Sequence, residues 1–444
     1  MQLETIDIVK IVNGGYGLAH LPSGLTVLVR HVLPGETVIV SIEEKKKNYL
    51  LGQLRQIVTP HTARRTPPCP YAGECGGCDL QHCGYAEQVQ IKKGIIRDLL
   101  LRSNREELQD AYSLPAEPIA APEEFGYRQR LRLQVEDGVL GFHRFRTHAL
   151  IPIRVCLLAG ATLNHTLAAL RQGPDGRKLT SMSSEVELQE NPRTGEIVVI
   201  FRLPRKPRPA DILAAKRFAR ENDTVERVFF AGEQFSLMGP YGKEPGTVAG
   251  NLLAVQYPPF AGLSFDLQLS WEAGGFCQVN LLQNRALIET VLDFCKVHTG
   301  LRVLDLYCGM GNFTVPLALL GAEVLGIEGQ GSAIRSAKSN AARAGLTQAG
   351  FQQSPIHAAC SELTASGARF DCVVIDPPRQ GTPDLARQLA TLAGRRLVYI
   401  SCDPATLCRD LADLIDHGFA LRKIQPIDMF PQTHHIETVV LLEK

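Results

Sequence analysis

The first 58 residues contain short runs of alternating apolar and polar positions, separated by turn-forming residues. The runs that favour β-strands are Ile6–Ile11, Gly17–His20, Thr26–Val29, Thr37–Glu43 and Leu50–Ile57. Glycine and proline mark the turns between them, as at Asn13-Gly14-Gly15 and Pro34-Gly35. This succession of short strands predicts a small closed β-barrel of the oligonucleotide-binding (OB) type, although a barrel that binds nothing has the same pattern.

From about Leu281 the pattern changes to apolar runs of strand length that alternate with helical segments. The clearest strands are Arg302–Leu306, Glu323–Ile327, Cys372–Ile375, Arg396–Ile400 and Thr438–Leu442. This alternation is typical of a doubly wound, Rossmann-like sheet. In the middle of the chain we predict helices at Tyr85–Leu101, Leu157–Arg171 and Ala210–Ala219, and strands at Glu196–Arg202 and Glu226–Phe230. The sequence therefore predicts a multidomain α/β protein, with a barrel at 1–58, a central α/β domain at 59–270 and a C-terminal domain at 271–444.

Composition excludes several classes of protein. With 45% hydrophobic and 21% charged residues among 444, the chain fits neither wholesale disorder nor a fibrous repeat. The N-terminal segment lacks the apolar core of a signal peptide, and no uninterrupted apolar stretch predicts a membrane span. We therefore expect a cytoplasmic monomer with no membrane partner. The net charge of +1 makes no case by itself for a nucleic-acid partner.

Three of the twelve cysteines, Cys69, Cys75 and Cys78, lie within ten residues of one another. Soft thiolate ligands in such a group select zinc, copper(I) or an iron–sulfur cluster, and purely structural thiols are seldom so dense. A fourth ligand could come from Cys83, which is close in sequence, or from Cys156, which follows a long excursion. The spacing is neither that of a zinc ribbon nor that of a radical S-adenosylmethionine enzyme. The segment predicts a metal centre and leaves its kind open.

A nucleotide-type site is predicted where the strand at 302–306 runs into a turn that contains Gly309 and Gly311. The two glycines let the backbone approach a ligand, but the GxGxxG pattern that cradles phosphates is absent. The next strand ends in Glu328, an acid placed to accept hydrogen bonds from ribose hydroxyls. This combination fits S-adenosylmethionine better than NAD, because S-adenosylmethionine has no pyrophosphate. An ordinary turn followed by an exposed glutamate would have the same pattern.

Two further strands bring reactive residues to the same edge of the predicted sheet. Asp376 ends one strand and precedes two prolines, which stiffen its loop. Cys402 ends the next strand, where it would share an edge with Asp305, Glu328 and Asp376; a buried structural cysteine would also be unremarkable there. Two histidines and Glu437 come at the start of the last strand, and histidines in such a place are more often hydrogen-bonded scaffold than ligands.

Together these motifs resemble those of the RNA uracil-5-methyltransferase family, and the resemblance covers nearly the whole chain. It rests on the cysteines with Gln81-His82, on Phe276-x-Gln278-x-Asn280, Asp305-Leu-Tyr-Cys-Gly-Met-Gly-Asn312, Asp376-Pro-Pro-Arg379 and Ser401-Cys402-Asp403-Pro404, and on Phe430-Pro-x-Thr-x-His435-x-Glu437. The barrel resembles the TRAM domain, an RNA-binding module of OB type. A barrel combined with a cysteine cluster resembles the branch of the family that acts on 23S ribosomal RNA.

The resemblance implies a role for each motif. The cysteine group would be a [4Fe–4S] centre held by Cys69, Cys75, Cys78 and Cys156, with Cys83 left free. S-adenosylmethionine would contact Gln278, Tyr307, Asn312, Glu328 and Asp376, whereas Cys402 would be the nucleophile and Glu437 the base. The chain departs from the family at Asp403, where asparagine is usual, and at Ser354-Pro355, where we carry over no adenine contact.

The chemistry of uracil explains why a thiol and a base occur together. Carbon 5 is too poor a nucleophile to take a methyl group directly, so a thiolate first adds to carbon 6 and a base later removes the carbon 5 proton. The target base must leave its stack, so we expect local positive charge, and residues 128–148 carry five arginines against two acids. A solvated face would also fit that segment.

Two other functions stay open at this point. The same chemistry could act on transfer RNA, although that branch of the family generally lacks both the barrel and the cysteine cluster. A non-catalytic iron–sulfur protein that binds RNA is the other alternative, and the intact Cys402 and Glu437 argue against it.

Overall fold

The computed structural model describes residues 3–242 and 252–444. The strands are β1 Leu3–Asp7, β2 Lys10–Val12, β3 Tyr16–His20, β4 Thr26–Arg30, β5 Thr37–Lys45, β6 Tyr49–Thr59, β7 Arg130–Glu136, β8 Val139–His143, β9 Leu150–Pro152, β10 Glu185–Glu190, β11 Ile197–Arg202, β12 Val225–Gly232, β13 Phe235–Gly242, β14 Leu252–Tyr257, β15 Leu267–Glu272, β16 Arg302–Leu306, β17 Glu323–Glu328, β18 Ala349–Gln353, β19 Phe370–Ile375, β20 Ala393–Ser401, β21 Ala420–Ile427 and β22 Glu437–Glu443. The helices are α1 Tyr85–Leu101, α2 Glu106–Asp110, α3 Ala161–Gln172, α4 Pro174–Ser181, α5 Pro209–Glu221, α6 Leu281–Cys295, α7 Thr314–Leu319, α8 Gly331–Arg343, α9 Ile356–Ala365, α10 Ala386–Leu392 and α11 Pro404–Asp416. A 3-10 turn, Ala111–Ser113, follows α2. Within the described ranges, no helix is both long and apolar enough to cross a membrane.

The N-terminal block is a small barrel with the strand order β1-β5-β6-β4-β3-β2. The prediction of one strand over Ile6–Ile11 is wrong, because this segment forms two strands with a break between them. At the break, Ile8 N donates to Glu36 O at 2.9 Å and Val9 N donates to Leu18 O at 2.8 Å. Because β1 pairs with β5 and β2 with β3, the broken segment closes the ring of strands. The predicted N-terminal barrel is confirmed.

The central block is a seven-stranded sheet with the order β13-β12-β11-β10-β7-β8-β9, in which only β11 and β12 run parallel. The helix predicted from Leu157 begins only at Ala161. The preceding residues instead form a turn around the side chain of Asn164, which accepts a hydrogen bond from Cys156 N at 2.8 Å and donates to Ala159 O at 3.1 Å. This turn fixes the backbone at Cys156.

The C-terminal sheet has the order β18-β17-β16-β19-β20-β22-β21, and all pairs are parallel except those of β22. The order in which successive strands are added to the sheet reverses between β16 and β19. The loops that follow these two adjacent strands therefore open side by side. The predicted doubly wound arrangement is confirmed, and so is the multidomain α/β class. The carboxyl edge beside this switch is where a ligand site is expected.

The central block shares hydrophobic cores with the C-terminal sheet. On one face of that sheet, Ile200 and Phe229 pack in the same core as Trp271 and the strand residue Val303. On the other face, Ile96 of α1 packs with the buried residues of the C-terminal strands. Hydrophobic packing therefore joins the segments on the two sides of residue 270. The domain boundaries at 58 and 270 remain predictions from the sequence.

Candidate active site and cysteine cluster

A cavity of about 550 Å³ opens at the carboxyl edge of the C-terminal sheet. It is lined by six of the seven residues to which the family resemblance gives a role in catalysis or cofactor binding: Gln278, Tyr307, Glu328, Asp376, Cys402 and Glu437. These residues come from six different segments of the chain, so only the fold brings them together. The cavity lies where the switch between β16 and β19 places a ligand site.

The turn after β16 is shaped to present backbone groups to this cavity. Tyr307, Gly309 and Gly311 all have positive φ values, of 63°, 56° and 88°. A side chain at Gly311 would also lie only 3.0 Å from Val315 Cγ2, so a substitution there would strain the backbone and crowd Val315. Glu328 closes the turn by accepting hydrogen bonds from Gly309 N at 3.3 Å and from Gln330 N at 2.8 Å.

Asn312, the seventh predicted site residue, does not line the cavity. Its side chain exchanges two hydrogen bonds with that of Asn284, each at 2.9 Å, and Asn284 also donates to Tyr257 Oη. The side-chain amide of Asn312 is thus already hydrogen-bonded, behind the turn that contains Gly309 and Gly311. The described geometry supports a role for Asn312 in holding the turn to α6 rather than in direct contact with a ligand.

Asp305 lies at the same edge but points into the protein. It is fully buried, and it accepts a hydrogen bond from Thr314 Oγ1 at 2.5 Å. Burial raises its pKa to about 7. Asp305 therefore ties β16 to the start of α7, beneath the turn that carries the glycines.

The acidic groups around Cys402 share a poorly hydrated environment. Burial raises the pKa of the Cys402 thiol to about 11, Glu437 adds to that rise, and the Arg379 guanidinium opposes it. Burial raises the pKa of Asp376 to about 7, and burial together with Asp376 raises the pKa of Glu437 well above its usual range. A cation bound among these three groups would favour their ionised forms.

The aspartate that departs from the family pattern has a clear structural role. Asp403 is the N-cap of α11, and its Oδ1 accepts hydrogen bonds from Ala405 N at 3.0 Å and Thr406 N at 2.9 Å. An asparagine oxygen would make the same bonds, so the substitution preserves the geometry that follows Cys402. The added negative charge also favours the helix N-terminus.

Several residues that line the cavity have no role predicted from the sequence. Arg379 and His435 approach the reactive groups, and Phe430 lies beside His435 with ring centroids 6.1 Å apart. Phe276 stands at the mouth of the cavity and is 66% exposed, which is unusual for a large apolar side chain. All four belong to motifs quoted above, but only the fold shows that they face the same space.

A second cavity, of about 370 Å³, is lined by the four predicted cluster ligands, Cys69, Cys75, Cys78 and Cys156. Cys83 lies elsewhere, in a small core with Leu80 and residues of α1. Burial raises the pKa of Cys78 to about 12 and also raises those of Cys75 and Cys156, while the Arg128 guanidinium opposes all three shifts. The cavity is thus a thiol-lined space, and the arginines Arg128, Arg144 and Arg146 are also among its lining residues.

Most of the arginines in residues 128–148, where local positive charge is expected, contact other groups of the protein. Arg128 lines the cysteine cavity, and Arg130 pairs with Glu187 at 2.6 Å. Arg132 and Arg144 also have carboxylate partners. Arg146 is exposed and lies over the rings of Tyr16 and Phe145, at the junction of the barrel with the cysteine segment.

Comparison with known proteins places the chain in a family. The family model for tRNA (uracil-5-)-methyltransferases matches residues 266–444, and that for the TRAM domain matches residues 3–54. The protein named 23S rRNA (uracil(1939)-C(5))-methyltransferase RlmD from Shewanella sp. (strain MR-4) is 34% identical over 449 residues, which is 99% of this chain and 95% of that protein. The protein of the same name from Chromohalobacter salexigens is 34% identical over 99% of this chain and 89% of its own length.

A solved structure shows the same overall fold. The Pyrococcus abyssi tRNA (uracil-54, C5)-methyltransferase in complex with S-adenosyl-L-homocysteine superposes with a TM-score of 0.73, over 98% of this chain and all of the other, at 23% identity. The full-length identity to the bacterial relatives, together with the match of both domain models, decides the assignment. This chain belongs to the RNA uracil-5-methyltransferase family, in the form that carries an N-terminal TRAM domain.

Proposed function

We propose that this protein transfers a methyl group from S-adenosylmethionine to carbon 5 of one uridine in 23S ribosomal RNA, as a cytoplasmic monomer. The observation that carries the proposal is that Cys402 and Glu437 line the same cavity as Glu328 and the glycine turn. A nucleophile, a base and a nucleoside-binding acid thus face one space. The names of the full-length relatives favour ribosomal over transfer RNA.

Cys402 is the proposed nucleophile. Its Sγ adds to carbon 6 of the flipped uracil, which leaves an enolate-like ring whose carbon 5 can accept the methyl group. Burial and the neighbouring Glu437 raise the pKa of this thiol to about 11, which favours its protonated form. Arg379, at the mouth of the cavity, favours the thiolate by its charge.

Glu437 is the proposed base. After carbon 5 is methylated, it takes the proton from that carbon, and the electron pair expels the Cys402 thiolate from carbon 6. Its side chain is buried, and burial with the nearby Asp376 raises its pKa. A raised pKa makes the carboxylate a stronger proton acceptor, which suits this step.

The cofactor position follows from the remaining lining residues. Glu328 is placed to accept hydrogen bonds from ribose hydroxyls, and Gln278, Tyr307 and Asp376 line the rest of the space. The backbone next to Gln278 is anchored to the central block, because Gln129 N donates to Val279 O at 3.0 Å. When bound, S-adenosylmethionine supplies an electrophilic methyl group and a positive charge. That charge favours ionised Cys402 and Asp376 in this buried site.

The second cavity is proposed to hold a [4Fe–4S] cluster on Cys69, Cys75, Cys78 and Cys156. The donors are all thiols, the usual ligands of a [4Fe–4S] cluster, and the Arg128 guanidinium offsets the negative charge of such a centre. A single zinc ion, with Zn–S bonds of about 2.3 Å, would draw its ligands within about 4 Å of one another. Among residues 3–242 and 252–444, no three candidate ligands are grouped to hold a single ion.

Iron analysis tests this assignment. Anaerobically purified protein is expected to contain about four iron atoms per chain and to absorb visible light. The Cys156→Ser variant should lose the iron, because it removes a ligand that lines the cavity, whereas Cys83→Ser should retain it. Colourless protein with one equivalent of zinc would overturn the cluster.

Replacing Glu437 with glutamine tests both the chemistry and the substrate. The variant should still form the bond between Cys402 and the RNA, because loss of the carboxylate lowers rather than raises the pKa of that thiol. It should then stall, since the carbon 5 proton stays in place. With S-adenosylmethionine, we expect a denaturation-resistant adduct with 23S ribosomal RNA, and wild-type protein should turn over instead. An adduct with transfer RNA alone would favour the alternative substrate.

A further inference from the structure

The loop that leads to the proposed base is attached directly to the cysteine segment. This loop, here called the base loop, comprises residues 428–436 and connects β21 to Glu437, the first residue of β22. Asp79 N and Leu80 N both donate to Gln432 O, at 3.1 and 3.0 Å. Asp79 Oδ2 also lies 2.5 Å from His434 Nδ1. Asp79 and Leu80 directly follow Cys78, one of the four cysteines that line the second cavity.

The backbone of Gln432 has an unfavourable conformation that neighbouring residues must stabilise. Its φ is 71°, which is rare for a residue with a side chain, and it is completely buried. Its Nε2 donates to Glu124 at 2.9 Å, and its Oε1 accepts from Gln88 at 3.0 Å and from Arg65 at 3.1 Å. Its backbone N donates to Gln88 Oε1 at 3.0 Å. With both backbone groups and both side-chain groups bonded, the surroundings fix this conformation.

The other side of the base loop faces the catalytic cavity. The ring of His434 packs on that of His435, with centroids 4.2 Å apart. His435 lines the cavity, and Glu437 follows two residues later. The barrel covers the contact, because a side chain at Gly15 would lie only 3.1 Å from Asp79 Cγ and 3.3 Å from His434 Cβ. An unbroken chain of contacts therefore runs from Cys78 to the proposed base.

The first residue of the base loop has an anchor that does not involve the cysteine segment. Asp428 Oδ1 pairs with Lys92 Nζ of α1 at 2.5 Å, and both side chains are completely buried. Lys92 also donates to Phe430 O at 3.0 Å. Nearer to Glu437, Gln432 is bonded both to Gln88 of α1 and to the backbone of Asp79 and Leu80, whereas the side chain of His434 contacts Asp79.

We infer that Gln432 and His434 are positioning residues that make the placement of Glu437 depend on the order of the cysteine segment. Loss of the metal centre would then slow removal of the carbon 5 proton, beyond any effect on RNA binding. The inference rests on the proposed function of Glu437 and of the four cysteines. It assigns to the metal centre a structural influence on one catalytic step, transmitted through hydrogen bonds that lie outside both cavities.

Hydrogen exchange tests the connection without any assay of methylation. On removal of iron from the wild-type protein, amide exchange in residues 428–436 should become faster, as should exchange in residues 69–83. In His434→Ala, exchange in the base loop should already be faster while the iron content is unchanged. Base-loop exchange that does not respond to loss of iron would overturn the inference, and so would protein that holds no iron cluster.

Kinetics of the loaded enzyme provide the second test. His434→Ala should break down the covalent RNA adduct roughly 10- to 100-fold more slowly, the range expected for a misplaced catalytic group, with little change in the affinity for RNA. His434→Gln, which can still donate to Asp79, should recover most of that rate. His298→Ala is the matched control, because His298 is exposed and its ring contacts the backbone oxygen of the adjacent Thr299.

These outcomes separate the inference from the proposed function. Adduct breakdown at the wild-type rate in His434→Ala would overturn the inference and leave the proposed function intact. If the wild-type protein methylated no RNA and Glu437→Gln formed no adduct with any RNA, the proposed function would fail, and the inference with it as a statement about Glu437. The exchange data would then report only a mechanical link between the two segments.

Discussion

Replacing Cys402 with alanine is expected to abolish methylation, with a loss of at least about 10⁴-fold in rate, the scale seen when a covalent nucleophile is removed. Without the thiolate, carbon 5 of uracil has no route to become nucleophilic, and no other cysteine lines the catalytic cavity among the described residues. The alanine variant should also form no denaturation-resistant bond to RNA. Transfer of labelled methyl groups to RNA and gel analysis of the adduct measure both effects.

Cys408→Ala is the matched control for this experiment. Cys408 is six residues further along the chain, on α11, where it is partly buried and packs in the core of the C-terminal sheet. Its removal should leave the rate within about threefold of the wild type, since it costs only a small loss of packing. If Cys402→Ala retained substantial methylation, or if both variants lost activity equally, Cys402 would not be the nucleophile.

Replacing Lys92 with methionine should produce the largest loss of stability of any single change considered. The ammonium group pairs with Asp428 in a site where neither side chain is exposed, so the variant leaves a buried carboxylate without its partner. Removal of one member of such a pair typically costs about 3–5 kcal/mol of unfolding free energy. The midpoint of denaturant-induced unfolding measures the effect.

Lys93→Met provides the comparison on the neighbouring position of α1. Lys93 pairs with Glu117, whose side chain is 70% exposed, and such surface pairs contribute about 0–1 kcal/mol. We therefore expect a small change for Lys93→Met and a large one for Lys92→Met. Similar unfolding midpoints for the two variants would show that the buried pair does not hold the base loop as described.

Local sequence patterns were sufficient to predict those helices and strands whose ends are set by residues within or next to the element. The helix Tyr85–Leu101, which lies between Gly84 and Arg102, and the strand Arg302–Leu306 have the predicted ends. The break in Ile6–Ile11 could not be predicted in this way. It depends on hydrogen bonds to Glu36 and Leu18, residues that the barrel brings close from other strands.

The residues of the candidate site likewise divide into those that local patterns predict and those whose contacts come from distant parts of the chain. Motif residues at strand ends, such as Glu328 and Cys402, reach the cavity because parallel strands bring their carboxyl ends to one edge. Charges on β7 could not be judged from the sequence, because the partner of Arg130 is Glu187, on a strand more than 50 residues away. The contact of His434 with Asp79 joins residues 355 positions apart, and no local pattern predicts it.

Mapping of 5-methyluridine in RNA from cells that lack this protein tests the proposed reaction directly. We predict that one uridine of 23S ribosomal RNA loses its methyl group, that wild-type protein restores it, and that Cys402→Ala does not. The 5-methyluridine of transfer RNA should stay unchanged. Fully methylated 23S ribosomal RNA, with 5-methyluridine lost from transfer RNA instead, would contradict the proposed substrate.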